Sequence, residues 1–250
     1  MKVKGLPAKF SRTLKHGHRQ LSPGRAGPHT LEQTPLHKGG DGIPVLTASC
    51  SLPQPVKPQG AAARRVRRYY QLQRRCFFRY CETWLLPQAR AEYHAALAAS
   101  RPLPCFRAEL GYRVTWNQDG LWSLYTHTRE TCPGSPPLLG RRGDTWDLAA
   151  GYPVPLKAFF PGVRSWKGTL LAFAAGEIAR QEAAGAARYH DHWRQALRRH
   201  FNPQNYYLTE DGLAFFYPMY AIAPAVEGTP VFTLPFGTPG LRQPAAQTPQ

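Results

Sequence analysis

Asn205-Tyr-Tyr-Leu-Thr-Glu-Asp-Gly-Leu-Ala-Phe-Phe-Tyr-Pro-Met-Tyr-Ala-Ile-Ala-Pro224, followed by Glu227-Gly-Thr-Pro-Val-Phe-Thr-Leu-Pro-Phe236, constrains this chain more than any other stretch. Aromatic and aliphatic residues flank Asp211-Gly212, a pair suited to a tight turn. The segment therefore reads as a hairpin of Tyr206–Leu208 with Leu213–Tyr217, an irregular crossing and a final strand. It fixes a fold while carrying no recognisable catalytic group.

The same signals recur upstream. Phe106, Ala108, Leu110, Tyr112, Val114 and Trp116 alternate with polar residues or Gly, and Asn117-Gln-Asp-Gly120 turns this strand back into Leu121–Thr128. A shorter alternation at Ile43, Val45, Thr47 and Ser49 predicts a strand before a Pro-rich link. Val66, Tyr69, Tyr70, Phe77, Tyr80, Cys81 and Trp84 recur at helical steps and predict one broad apolar stripe. Pro87 is expected to kink that helix or start a new one. Residues 132–143 read as a Pro- and Gly-rich loop, 145–148 and 154–156 as short strands, and 165–183 and 188–200 as helices. Hairpins with helices inserted between them imply an α+β fold, an antiparallel sheet packed against helices in two closely associated lobes.

Charge separates the ends from the body. The net charge is +17, of which residues 1–60 carry +7, residues 61–100 +6 and residues 101–250 only +4. Residues 1–41 lack an apolar period and are expected to form a disordered basic tail, with a second tail over 237–250. No stretch approaches the length of a membrane span, and the N-terminus lacks the apolar core of a signal peptide. As written, the chain is expected to stay where it is made. The five cysteines show no CxxC spacing, which favours free thiols; a bridge such as Cys105 to Cys132 would need an oxidising compartment.

Tests for chemistry return little. His190 and His192 stand two apart, so on a helix they point about 200° apart and cannot share an ion. Neither HExxH nor HxxxH occurs, and no Gly-rich loop joins a strand to a helix, so no metal, cofactor or nucleotide cradle is expected. Asp144 and Asp147 flank Trp146, Ser123 lacks a nucleophile elbow, and His127, Glu130 and Cys132 are near in sequence only. A hydrolase would need His127, Glu130 and Asp147 to converge on one pocket. Arg64, Arg68, Arg75 and Arg79 make a second stripe along the long helix, the strongest ligand-binding candidate. Cations beside aromatics hold phosphates and stack bases, which leaves nucleic acid or another polyanion as a partner. The bland alternative is a solvated helix face.

The C-terminal block resembles the domain of unknown function 3298 family. It fits that family's closing pattern through Tyr206, Tyr207, Asp211, Gly212, Tyr217, Tyr220, Pro224 and Gly228, all taken as structural. Thr145-Trp-Asp-Leu-Ala-Ala-Gly151 and Phe159-Phe160 look like the family's upstream turn and aromatic pair. The resemblance divides the chain into a companion lobe at 42–131 and a family-like lobe at 132–236. It implies a bacterial, non-enzymatic binding module of the kind found in the ectodomain of RsiV-type anti-sigma factors, which bind lysozyme, and beside peptidoglycan deacetylases. That setting implies a location outside the cytoplasm and a cell-envelope polymer or protein as ligand. Cys132-Pro-Gly-Ser-Pro-Pro-Leu-Leu-Gly140 stands where the family commonly has Gly-Gly-Ala-His-Gly. Lysozyme of the animal type is cationic, and two cationic proteins repel unless their contact patches are complementary, so an anionic polymer or protein surface suits this chain better.

Overall fold

The computed structural model describes the backbone of residues 32–38 and, in full, residues 44–53 and 60–244. Most of the expected basic tail lies outside the described residues. Its end does not behave as tail: Glu32–Lys38 forms strand β1, antiparallel to β2 (Pro44–Cys50). The predicted β2 has the right place but the wrong phase. Leu46, Ala48 and Cys50 face the core along with Val45, whereas Thr47 and Ser49 are only half-buried.

From β2 the chain passes through α1 (Gly60–Tyr80), one wide π-type turn (Cys81–Leu85) and α2 (Leu86–Ala98) into β3 (Phe106–Gln118). This helical crossover returns the chain on the same side, so β2 and β3 are parallel. That pair is a departure from the all-antiparallel sheet expected, and it follows because only a long crossover can join parallel neighbours. The buried stripe is Ala62, Val66, Tyr70, Phe77, Cys81 and Leu85. Tyr80 and Trp84, expected in it, are exposed. Tyr80 is the last residue of α1, ahead of the wide turn, and lies at the edge of the stripe; the extra residue of the turn rotates only Trp84 away from it. The wide turn also precedes Pro87, whose ring would otherwise press on the carbonyl four residues back.

β3 and β4 (Leu121–Thr131) meet at Asp119 and Gly120, whose φ values of 58° and 71° match the two-residue turn with the twist of a hairpin. β5 (Leu138–Asp147) pairs with β4 along its whole length, and β6 (Tyr152–Pro153) closes a six-stranded sheet in the order β1-β2-β3-β4-β5-β6. The expected loop at 132–143 thus shortens to residues 132–137. The expected boundary between 131 and 132 falls inside one sheet, because Glu130 of β4 pairs with Leu138 of β5. Asp147 ends β5 by accepting the Ala149 and Ala150 N–H groups at 2.8 and 2.9 Å.

The second lobe holds α3 (Trp166–Ala183), α4 (Trp193–His200) and a small antiparallel sheet of β7 (Tyr206–Leu208), β8 (Gly212–Phe216) and β9 (Val231–Pro235). Its core gathers Leu170, Ile178, Trp193, Leu208, Leu213, Phe215 and Phe232. A separate core fills the space between α1–α2 and the large sheet, around Val66, Tyr70, Ala108, Trp122, Leu124 and Trp146. The α+β class therefore holds. The expected C-terminal tail begins later than 237: Leu241 is buried in the second core, and the Arg242 N–H donates to the Phe159 carbonyl at 2.8 Å. Residues 245–250 lie outside the described residues.

Candidate functional site

Strand alternation gives the large sheet two faces. Leu110, Leu124 and Trp146 point toward α1, and the intervening residues point away. On that outer face the register sets Arg113 beside Tyr125 and Gly143, Gly111 beside His127 and Arg141, and Glu109 beside Arg129 and Leu139; Arg107 follows at the end of β3. Arg107, Arg113 and Arg129 are exposed and Arg141 is half-buried. Six residues of β3 separate Arg107 from Arg113, so the cations spread over about 20 Å of sheet. Glu109 is the one carboxylate among them on these rows.

The second lobe covers one end of this face. The Leu208 N–H donates to the buried Ser123 hydroxyl at 2.8 Å, and Ser123 shares a 2.7 Å hydrogen bond with Thr145. Ser123 thus ties β7 to the sheet and is no nucleophile. At the edge of the covered end Tyr207 meets Tyr125, ring centroids 4.9 Å apart. The Arg141 guanidinium lies 4.6 Å from the Tyr125 ring centre and 5.9 Å from that of Phe216, and it donates to the Tyr207 hydroxyl at 3.5 Å. Aromatic faces stabilise a neighbouring cation while leaving its outer N–H groups for a ligand. Burial raises the Tyr207 pKa, opposed by Arg141 and Arg113, so Tyr207 remains a hydroxyl donor. Burial, then repulsion from Arg141, lowers the His127 pKa against a smaller pull from Glu109.

The other predicted residues scatter. Arg64, Arg68, Arg75 and Arg79 are all exposed on the outward side of α1. Arg75 and Arg79 share an open hollow of about 650 Å³ with Arg74 and Phe78, and Arg64 and Arg68 do not line it. The aromatics Tyr70 and Phe77 of the same helix are buried and unavailable for stacking. His127, Glu130 and Asp147 do not meet. Glu130 sits three residues from His127 on the opposite face, where it accepts from the Tyr80 hydroxyl at 3.0 Å, and burial raises its pKa. Asp147 lies opposite Leu121, six residues or about 20 Å along β4 from His127, and is engaged in its turn. The His127/Asp147 hydrolase pocket is therefore not formed. Asp144, on the α1 face, is fully buried and accepts from Tyr69 at 2.7 Å, Tyr70 at 3.3 Å and Arg142 at 3.4 Å. All five cysteines are free; burial pushes the Cys50 thiol up to about 11 and the Cys81 thiol up to about 12.

The closing-pattern residues divide by role. Tyr206 and Tyr207 form β7, and the Tyr217 hydroxyl donates to the Leu197 carbonyl at 3.1 Å. Asp211 holds the Phe236 N–H through its carbonyl at 3.3 Å. Gly212 has no positive φ; it is small because a Cβ there would lie 2.1 Å from the Leu234 carbonyl oxygen. Pro224 opens a short 3₁₀ turn that Gly228 closes. Tyr220 exposes 52% of its surface, while its backbone is left-handed and its carbonyl lies 3.3 Å from His190 Nε2.

Residues 158–237 match the family described as Protein of unknown function (DUF3298). A DUF3298 protein from Bacteroides fragilis aligns with a TM-score of 0.60 at 14% identity, covering 86% of this chain and 92% of that one. A DUF3298 protein from Pseudomonas aeruginosa PAO1 aligns with a TM-score of 0.54 at 17% identity, covering 89% and 96%. Both alignments extend well beyond the DUF3298 segment, so the fold as a whole is shared. No curated protein matches the chain. Among the described residues no helix is long and apolar enough to cross a membrane.

Proposed function

We propose that this protein is a non-enzymatic binding module that holds an extended anionic ligand on the outer face of its large sheet. The observation that carries the reading is the alignment of Arg107, Arg113, Arg129 and Arg141 on neighbouring strands, with Tyr125 and Tyr207 closing one end. An exposed run of cations of this length suits a polymer or an acidic protein segment better than a small substrate. Arg141 is already positioned by its aromatic neighbours, so less side-chain freedom is lost when an anion arrives. The separation of His127, Glu130 and Asp147 supports binding rather than hydrolysis.

A second reading rests on the hollow around Arg74, Arg75, Phe78 and Arg79, which would place a polyanion, nucleic acid included, on α1 instead. Fluorescein-labelled poly-L-glutamate tests the first. Replacing Arg107, Arg129 and Arg141 with Gln should weaken its binding about tenfold at moderate salt. Unchanged binding would remove the sheet face from consideration.

A further inference from the structure

On the opposite face of the same sheet, α1 does not close fully onto β4 and β5. The reason is the size of the facing residues: Thr128 pairs with Gly140, and a Cβ at Gly140 would lie 2.4 Å from the Thr128 hydroxyl oxygen. The gap is an open groove of about 410 Å³, within the range of small-molecule sites. Phe77 and Leu110 floor it, and Leu72 and Tyr80 stand at its lips, Leu72 54% exposed. Large apolar side chains left at the edge of an unfilled groove offer area that a ligand would remove from water.

One end of the groove is charged. Arg142 turns its Nε toward Asp144 at 3.4 Å, and its guanidinium lies 5.3 Å from the Tyr69 ring centre. Its side chain is 49% exposed, and among the described residues its two terminal nitrogens have no acceptor. A guanidinium held by its Nε presents those nitrogens as a fork to a carboxylate or sulfonate. Asp144 lies beneath it, fully buried, and does not compete for the outward side.

We propose that this groove binds an amphiphilic small molecule, its apolar body on Phe77 and Leu110 and its single anionic head on Arg142. The site is separate from the outer sheet face and does not rest on the reading of that face.

Two fluorescent probes test it on the full chain. Both 1-anilinonaphthalene-8-sulfonate and N-phenyl-1-naphthylamine carry an apolar body, and only the first is anionic. The sulfonate should bind at one saturable site, about tenfold tighter than the neutral probe. Arg142→Gln should erase that preference and leave the neutral probe unaffected. Thr128→Trp, which fills the groove, should abolish both; Leu72→Asn at the exposed lip, which removes apolar area without adding charge, should weaken both and makes the test if the tryptophan variant does not fold. Equal affinities in the unaltered protein would overturn the anionic head. Absence of saturable binding, or binding indifferent to both groove substitutions, would overturn the site.

Discussion

A Cβ on Gly143 would lie 1.9 Å from the backbone oxygen of Tyr206. The two lobes approach through bare backbone at this point, and the neighbouring Ser123 hydroxyl receives the Leu208 N–H from the same incoming strand. The second lobe is thereby fixed over one end of the sheet, and the arginine-bearing remainder stays open.

Gly143→Ala should destabilise the protein by about 3 kcal/mol, because backbone on both sides must shift. Ser123→Ala should cost about 2 kcal/mol by orphaning a buried N–H. Urea unfolding followed by tryptophan fluorescence reads both, and a loss below 0.5 kcal/mol for each would deny that this contact locks the lobes.

Asp144 gives the fold a recognisable pH dependence. Burial, the largest influence, raises its pKa above the ordinary 3.8 in spite of Arg142 and the two tyrosine hydroxyls. The folded state then holds this proton at pH values where the unfolded state has released it. Its contribution to stability is complete below 3.8 and declines as pH rises through the folded value. Asp144→Asn should remove that decline from a plot of unfolding free energy against pH, and a plot with the decline intact would assign it to another group.

His127 reports on its arginine neighbour. Its folded pKa lies below 6.5, so the unfolded state takes up the proton first and stability is lost as pH falls from 6.5 through the folded value. Arg141→Gln should move the His127 titration upward in an NMR experiment, since the charge that opposes the proton is gone. An unchanged titration would place Arg141 too far away to matter.

Tyr220 holds a left-handed backbone, φ 67°, while exposing an aromatic ring. Such a conformation costs a residue with a Cβ about 1 kcal/mol. Tyr220→Gly should therefore leave stability unchanged or raise it by up to about 1 kcal/mol, read as a small increase in Tm. A marked loss would mean that the exposed ring contributes packing.

The sequence disclosed what depends on local period and turn chemistry. The Asp119-Gly120 hairpin, the helix stripe from Val66 to Cys81 and the β7–β8 hairpin were all readable that way. Features set by non-local pairing were not. Arg107, Arg113, Arg129 and Arg141 are far apart in the chain, and only the β3–β4–β5 register aligns them; the end of β5 was readable at 145–148, but its first part was concealed because Pro and Gly at 133–137 make it resemble loop. The π-type turn that carries the exposed Trp84 likewise has no simple signature in period. A stripe such as Arg64–Arg79, by contrast, is visible in one dimension.

The most direct test compares the two basic surfaces in one assay. Fluorescence anisotropy of labelled poly-L-glutamate would be measured over a salt series for the unaltered protein and two fourfold variants. One carries Gln at Arg107, Arg113, Arg129 and Arg141, the other at Arg64, Arg68, Arg75 and Arg79. The sheet-face variant is predicted to lose about tenfold in affinity and to show a flatter salt dependence, with the helix variant within about twofold of the original. Loss in the helix variant with the sheet-face variant unaffected would contradict the account.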